Sequence, residues 1–251
     1  MMATMLANNY RMPNDWFEFK QFRIEQDRCA MKVGTDSVIL GAWTPCQDVK
    51  TIVDLGSGTG LLSLMLAQRC KARITAIELD MDAALQSAHN FAKSPWPHLI
   101  ESICGNIADL KYDLKGRFDL AIFNPPYFGG HLRPDNTQRS IARHLPKADL
   151  NSKKLWLEAA YLMTTNNGVT SFVIPQEDEH SWMEAANTLA WHCTKKLIIF
   201  GNINSKPKRC ILYFSKQSSE IETSELIIET STRGEYSEDF KAIASPFYLN
   251  F

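Results

Sequence analysis

Short apolar runs recur along the chain, and the stretches between them carry apolar residues every three or four positions. The runs TIVDL (51–55), RITAIEL (73–79), LIESIC (99–104), FDLAIF (118–123) and VTSFVI (169–174) read as strands. LLSLMLAQRC (61–70) and DAALQSAHNFAK (82–93) have helical spacing, as does SKKLWLEAAYLM (152–163), which opens with a Ser in cap position. Strands alternating with helices predict a parallel sheet covered by helices on both faces, an α/β architecture. Two later runs, KKLIIF (195–200) and RCILYFS (209–215), lack a helix between them and suit an antiparallel hairpin at one edge of the sheet. Ahead of the first strand, FEFKQFRIEQDRCAMKVG (17–34) reads as irregular or short-strand structure leading to a helix capped at Thr35 or Asp36. No internal repeat or low-complexity linker divides the 251 residues, so one domain is expected.

Composition narrows the class. Apolar residues make up 45% of the chain and charged residues 22%, which suits an ordinary globular core. No apolar run approaches the length that crosses a bilayer. The start, MMATMLANNYRMPNDW, lacks the basic-then-apolar pattern of a secretory signal, so a cytoplasmic location is expected. Cys29, Cys46, Cys70, Cys104, Cys193 and Cys210 form no Cys-x-x-Cys pair. Zinc or dithiol chemistry therefore has little support; free thiols and no metal are the expectation.

A net charge of −1 conceals local asymmetry. Segment 131–154 holds six Lys/Arg and two Asp, and segment 195–209 holds five Lys/Arg and no acid. Segment 218–240 holds seven acids and one Arg. The basic segments are candidates to meet a polyanion.

Two motifs carry chemistry. DLGSGTG (54–60) follows a strand and enters a helix, with Gly56, Gly58 and Gly60 permitting a tight turn and close backbone approach to a ligand. The spacing differs from the G-x-G-x-x-G of dinucleotide sites and lacks the Gly-Lys-Ser/Thr ending of a phosphate loop. Asp54 at the strand end would repel pyrophosphate but attract a cation, such as the amino group or sulfonium of S-adenosylmethionine. Glu78, at the end of the next strand, can accept both ribose hydroxyls of a nucleoside. After the third strand, Asn106 or, as second choice, Asp109 could reach an adenine edge; each is almost equally well read as a helix cap. Gly34, Thr35 and Asp36 open a helix, and contact between that turn and the methionine end of the cofactor is an added possibility.

The second motif is FNPPYFGG (123–130). Two prolines cannot continue a ladder, and a plain turn leaves the flanking Asn and Tyr unexplained. An exocyclic aromatic amine is a poor nucleophile because its lone pair is delocalised. The Asn124 side-chain oxygen and the Pro125 carbonyl can accept its two hydrogens and raise electron density on nitrogen. Pro126 stiffens the corner, and Tyr127 offers a face for the target ring. Phe128 and the Gly129–Gly130 pair either flank the pocket or let the following basic loop move.

DLGSGTG, Glu78 and NPPY together resemble a class I S-adenosylmethionine-dependent methyltransferase acting on an amino or amide nitrogen. Groups sharing NPPY include enzymes of DNA adenine, ribosomal guanine, release-factor glutamine and tRNA adenine. The stretch FKQFRIEQDRCAMKVGTDSVILGAW, with KPKRCILYFS and YSEDFKAIASPFYL, is similar to the bacterial valine-tRNA adenine-N6 methyltransferases, which modify adenine 37 beside the anticodon. That resemblance implies a Rossmann-like, doubly wound, seven-stranded and mostly parallel sheet with its final strands antiparallel. It implies a single methyltransferase domain over 1–251, with an N-terminal extension (1–34), a catalytic core (35–217) and an acidic C-terminal addition (218–251) packed on the core. It further implies cofactor roles for Asp54, Gly56, Gly58, Gly60 and Glu78, and catalytic positioning by Asn124, Pro125, Pro126 and Tyr127. Asn106 departs from the Asp common there, yet can still accept from an adenine amine. The partner implied is tRNA, with Arg133, Arg139, Arg143, Lys147, Lys206, Lys208 and Arg209 as candidate phosphate contacts. No membrane and no obligate protein partner are implied. The rival substrates are a protein glutamine and a ribosomal guanine.

Overall fold

The computed structural model describes residues 14–126 and 150–250, the side chains of 150–152 excepted. A two-stranded antiparallel sheet, β1 (Trp16–Glu18) and β2 (Arg23–Glu25), precedes α1 (Thr35–Trp43). Then β3 (Thr51–Leu55), α2 (Leu61–Arg69), β4 (Arg73–Glu78), α3 (Met81–Lys93), β5 (Ile100–Cys104), α4 (Ile107–Asp113) and β6 (Phe118–Phe123) follow in alternation. After residues 127–149 come α5 (Leu150–Met163), β7 (Thr164–Pro175), α6 (Glu179–Asn187), β8 (His192–Asn202), β9 (Pro207–Ser215), β10 (Glu222–Glu229) and α7 (Glu238–Ala244).

The large sheet has eight strands in the order β10-β8-β9-β7-β6-β3-β4-β5. The middle stretches of the inner strands are mostly apolar because both faces of the sheet are buried there. Ile52, Leu120 and Ile122 turn to the side held by Val38, Ile39, Leu64 and Met65 of α1 and α2. Their neighbours Val53, Ala121 and Phe123 turn to the opposite side, against Trp156, Leu157 and Ala160 of α5 and Trp182 of α6. The period-two alternation thus feeds two cores rather than one core and one wet face.

The sheet departs from expectation in two ways. Only β9 runs against the others, pairing antiparallel with both β7 and β8. KKLIIF and RCILYFS do form a hairpin, but β9 inserts between β7 and β8. The edge belongs to an eighth strand, β10, laid parallel on β8 from Glu222↔Lys195 to Glu229↔Asn202. Pairing there satisfies the free row of backbone groups on β8, which an uncovered edge would expose. An ion pair between Lys195 and Glu222 accompanies it. Leu226, Phe240, Ala244 and Phe247 carry the acidic segment's apolar residues into the core. At the other end of the chain, Phe17 and Phe19 pack on Tyr248, and the Lys20 amide donates to the Phe247 carbonyl at 2.7 Å.

Two cap expectations are corrected. The N-cap of α1 is Gly34, which makes no side-chain cap bond, and Thr35 and Asp36 are the first two residues of the helix itself. Asp36 instead sits in the first turn, where an acid suits the helix dipole, and pairs with Arg209 at 2.8 Å. Helix α5 begins at Leu150, so Ser152 lies inside its first turn rather than at its cap. No helix among the described residues is long and apolar enough to cross a membrane.

Candidate active site

Strand β3 ends in Leu55 and the chain turns at once through three glycines in left-handed conformations, with φ of 66° at Gly56, 53° at Gly58 and 81° at Gly60. Side chains resist that region because Cβ crowds the following carbonyl. Crowding adds to it at Gly56, where a Cβ would lie 2.7 Å from the Trp156 ring. At Gly58 a Cβ would meet nothing within 4 Å. The loop is therefore packed on one side and open on the other.

The open side faces Glu78 at the end of β4. Glu78 Oε2 accepts from the Gly58 amide at 2.8 Å, and Oε1 accepts from the Asp80 amide at 3.0 Å. Two backbone donors hold the carboxylate in one orientation, and each oxygen keeps a lone pair for a ligand hydroxyl. Beneath the loop lies Asp54, fully buried. Its Oδ2 accepts from the Ser63 amide at 3.1 Å and the Ser63 hydroxyl at 2.7 Å, while Oδ1 has no partner among the described residues. Burial pushes the Asp54 carboxyl up to about 7, and the nearby Glu78 charge adds to that; the Ser63 bonds pull the other way.

Asn106 caps α4, accepting from the Ala108 amide at 2.9 Å, and also lines the cavity; Asp109 is exposed and does not line it. The cap occupies one of the two acceptor sites on its oxygen and leaves the other for a further donor.

At the end of β6, Asn124 Nδ2 donates to the Ser37 hydroxyl at 2.8 Å. Asn124 Oδ1 is buried and has no partner among the described residues. A buried acceptor without a donor is costly, and its persistence at a cavity wall points to a ligand that donates. Pro125 is buried, Pro126 lines the cavity, and Tyr127 lies outside the described residues.

Gly56, Gly58, Glu78, Asn106, Asn124 and Pro126 thus converge on one cavity of about 190 Å³. Asp54 and Gly60 support it from outside the lining, and Gly34, Thr35 and Asp36 stand off it. Lys206 and Lys208 are exposed at the start of β9, beside the end of β7 where Arg209 pairs with Pro175. They therefore share the carboxyl-end rim of the sheet with Asn124. Arg209 is already engaged with Asp36. Arg133, Arg139, Arg143 and Lys147 fall outside the described residues.

Several contributors carried no sequence signal. Trp156 walls the cavity and confines Gly56, a pairing set by how α5 packs. Arg28, Cys29, Ala30 and Met31 close another side. Burial pushes the Cys29 thiol up to about 12, helped by Glu78 and Asp80, so it stays protonated and is no nucleophile. Ser63 was legible in principle, since a hydroxyl in the first turn after a glycine loop can reach back to the strand-end acid.

A family model described as the methyltransferase small domain matches residues 29–157. A tRNA1(Val) (adenine(37)-N6)-methyltransferase of Phocaeicola vulgatus is 43% identical over 239 residues, covering 95% of this chain and 100% of its own. The protein of that name in Salmonella enteritidis is 41% identical over 235 residues, covering 93% and 94%. Among solved structures, a predicted O-methyltransferase of Agrobacterium tumefaciens superposes with a TM-score of 0.67 at 16% identity, over 84% of this chain and 96% of that one. At such low identity it speaks to the fold alone: a Rossmann-like α/β methyltransferase sheet. The 43% and 41% identities across almost the whole of both chains settle kinship more narrowly: the chain belongs to the tRNA1(Val) (adenine(37)-N6)-methyltransferase family.

Proposed function

We propose that this chain transfers a methyl group from S-adenosylmethionine to the exocyclic N6 of adenine 37 in a valine tRNA. The observation that carries the reading is the buried, unpartnered Asn124 Oδ1 on the same cavity as Glu78.

The residues present fit the cofactor. Gly58 leaves open space where a side chain would intrude, Glu78 is oriented for a ribose diol, and Asn106 keeps acceptor capacity for an adenine amine. Asp54, with Oδ1 unsatisfied, supplies negative charge under the loop for a cationic ligand. Gly34, Thr35 and Asp36 would meet the methionine end through the turn whose Ser37 binds Asn124 at the cavity wall. When bound, the cofactor supplies an electrophilic methyl on a sulfonium.

The chain's own part is to prepare the nitrogen. Asn124 Oδ1 and the Pro125 carbonyl accept the two amine hydrogens, localising the lone pair and favouring a tetrahedral nitrogen. Proline on both sides of the peptide holds those acceptors still without rotamer cost. Tyr127 stacks the extruded ring, worth about 1–3 kcal/mol for a base. Position 37 lies in a loop, so extrusion costs at most about a few kcal/mol. The amine needs no strong base, since its proton can leave to water after transfer. Lys206 and Lys208, with Arg133, Arg139, Arg143 and Lys147 and in part Arg209, would grip RNA phosphates.

The test is to incubate the protein with labelled S-adenosylmethionine and a valine tRNA transcript, then map the labelled nucleoside. N6-methyladenosine at position 37, absent from an adenine-to-guanine transcript, is expected. Label appearing as methylguanosine, or only in protein, overturns the substrate.

A further inference from the structure

Asn124 can serve an amine only if its amide is turned with Oδ1 toward the cavity. Nothing in the backbone of the corner enforces that, because an amide rotates about a broad terminal torsion and its two ends have nearly equal size. The group that answers the amide is Ser37, in the first turn of α1, whose hydroxyl accepts from Nδ2 at 2.8 Å. A hydroxyl can accept or donate. An amine in the cavity offers hydrogens to Asn124, so the arrangement that serves it puts Oδ1 on the amine and Nδ2 on Ser37. In that arrangement both ends of the amide are satisfied at once.

Ser37 is itself held in place. Its neighbour Asp36 pairs with Arg209 of β9 at 2.8 Å, tying the first turn of α1 to the sheet. On its other side, Val38, Ile39 and Leu40 are fully buried in the core. The hydroxyl is therefore presented by a rigid element rather than a loop, which suits a group that must fix another to within a fraction of an ångström.

We infer that Ser37 is a positioning residue for methyl transfer: it holds the Asn124 amide with its oxygen facing the reacting amine and makes no contact with the substrate itself. This rests on the proposed role of Asn124.

Steady-state transfer to a valine tRNA transcript is measured for the full chain, Ser37→Ala, Ser37→Thr, Asn124→Ala and the Ser37→Ala/Asn124→Ala double variant. Cofactor affinity is measured by calorimetry on each. Ser37→Ala should lower kcat about fivefold to tenfold, the worth of one neutral hydrogen bond, with KM for tRNA and cofactor Kd within about twofold. Ser37→Thr keeps the hydroxyl and should stay within about twofold of the parent in kcat. In the Asn124→Ala background, where no amide is left to hold, Ser37→Ala should have no further effect. Three results overturn the inference: an unchanged kcat in Ser37→Ala, a Thr variant as slow as the Ala variant, or an equal loss with and without Asn124. Failure of the underlying reading looks different, since Asn124→Ala itself would then remain fully active.

Discussion

Asp54 presents a cost that the fold accepts, and its size can be worked out. The carboxyl is fully buried, meets Ser63 alone among the described residues, through one oxygen, and is pushed from an ordinary value of 3.8 up to about 7. A raised carboxylate binds its proton more tightly in the folded state than in the unfolded chain. Between pH 4 and 7 the folded protein therefore holds the extra proton, and its stability falls as pH rises through that window. Above pH 7 the loss is complete and the dependence flattens. A shift of about three pH units sets a ceiling of roughly 4 kcal/mol at about 1.4 kcal/mol per unit. Relaxation around the charge will leave a fraction of that, about 1–3 kcal/mol.

Asp54→Asn removes the titration while keeping an oxygen for Ser63. The absolute stability of the variant is a poor readout, because its amide nitrogen inherits the unpartnered position of Oδ1. The slope is the cleaner one. Urea unfolding of the cofactor-free protein from pH 5 to 8, which spans about two of the three units, should show the parent losing about 1–2 kcal/mol more than the variant. Parallel pH profiles for the two proteins would refute the reasoning. The same variant should bind S-adenosylmethionine more weakly at pH 8, because the buried charge is proposed to favour a cation.

Other outcomes follow from the same geometry. Gly56→Ala forces a side chain into a left-handed position at φ 66° with its Cβ 2.7 Å from Trp156, and should cost about 2–5 kcal/mol in urea unfolding. Gly58→Ala meets no neighbour and should cost only the backbone term, about 1–2 kcal/mol, while weakening cofactor binding in calorimetry. Lys206→Ala and Lys208→Ala together should flatten the salt dependence of tRNA affinity by about two phosphate contacts, with cofactor affinity unchanged. Maleimide labelling of Cys29 should be slow at pH 8 and slower still with cofactor present, since its half-buried, high-pKa thiol stands in the cavity wall.

The strands at 51–55 and 118–123 are legible to the residue because β-type, mainly apolar runs stand between Lys50 and Gly56 and between Arg117 and Asn124, which leaves little choice of ends. Asp54 and Glu78 could be read as a pair because each lies at the end of a strand run on either side of the glycine loop and its helix, and the structure sets those strands side by side, with Asp54 opposite Ala76. β10 escaped because ETSELIIE mixes acids with apolar residues, and edge strands favour charge over clean alternation. The helix after Gly34 starts one residue earlier than a Thr35 cap implies, and Asp36 turns to Arg209, 173 positions away, a partner that no local pattern reveals. Trp156 and Ser37 belong to the same class. Each acquires its role from a contact made across the fold, to Gly56 in one case and to Asn124 in the other. What sequence conveyed was the chemistry carried by contiguous motifs; what it withheld was the support behind them.

The central claim is that Asn124 accepts a hydrogen from the amine that receives the methyl group. Single-turnover transfer to a valine tRNA transcript by Asn124→Ala, at saturating S-adenosylmethionine and with cofactor Kd measured in parallel, tests it most directly. A rate lower by about 10²–10³ is expected, the effect of removing one preorganised polar group at a reacting centre, with Kd within about twofold of the parent. A rate within a few-fold of the parent would contradict it.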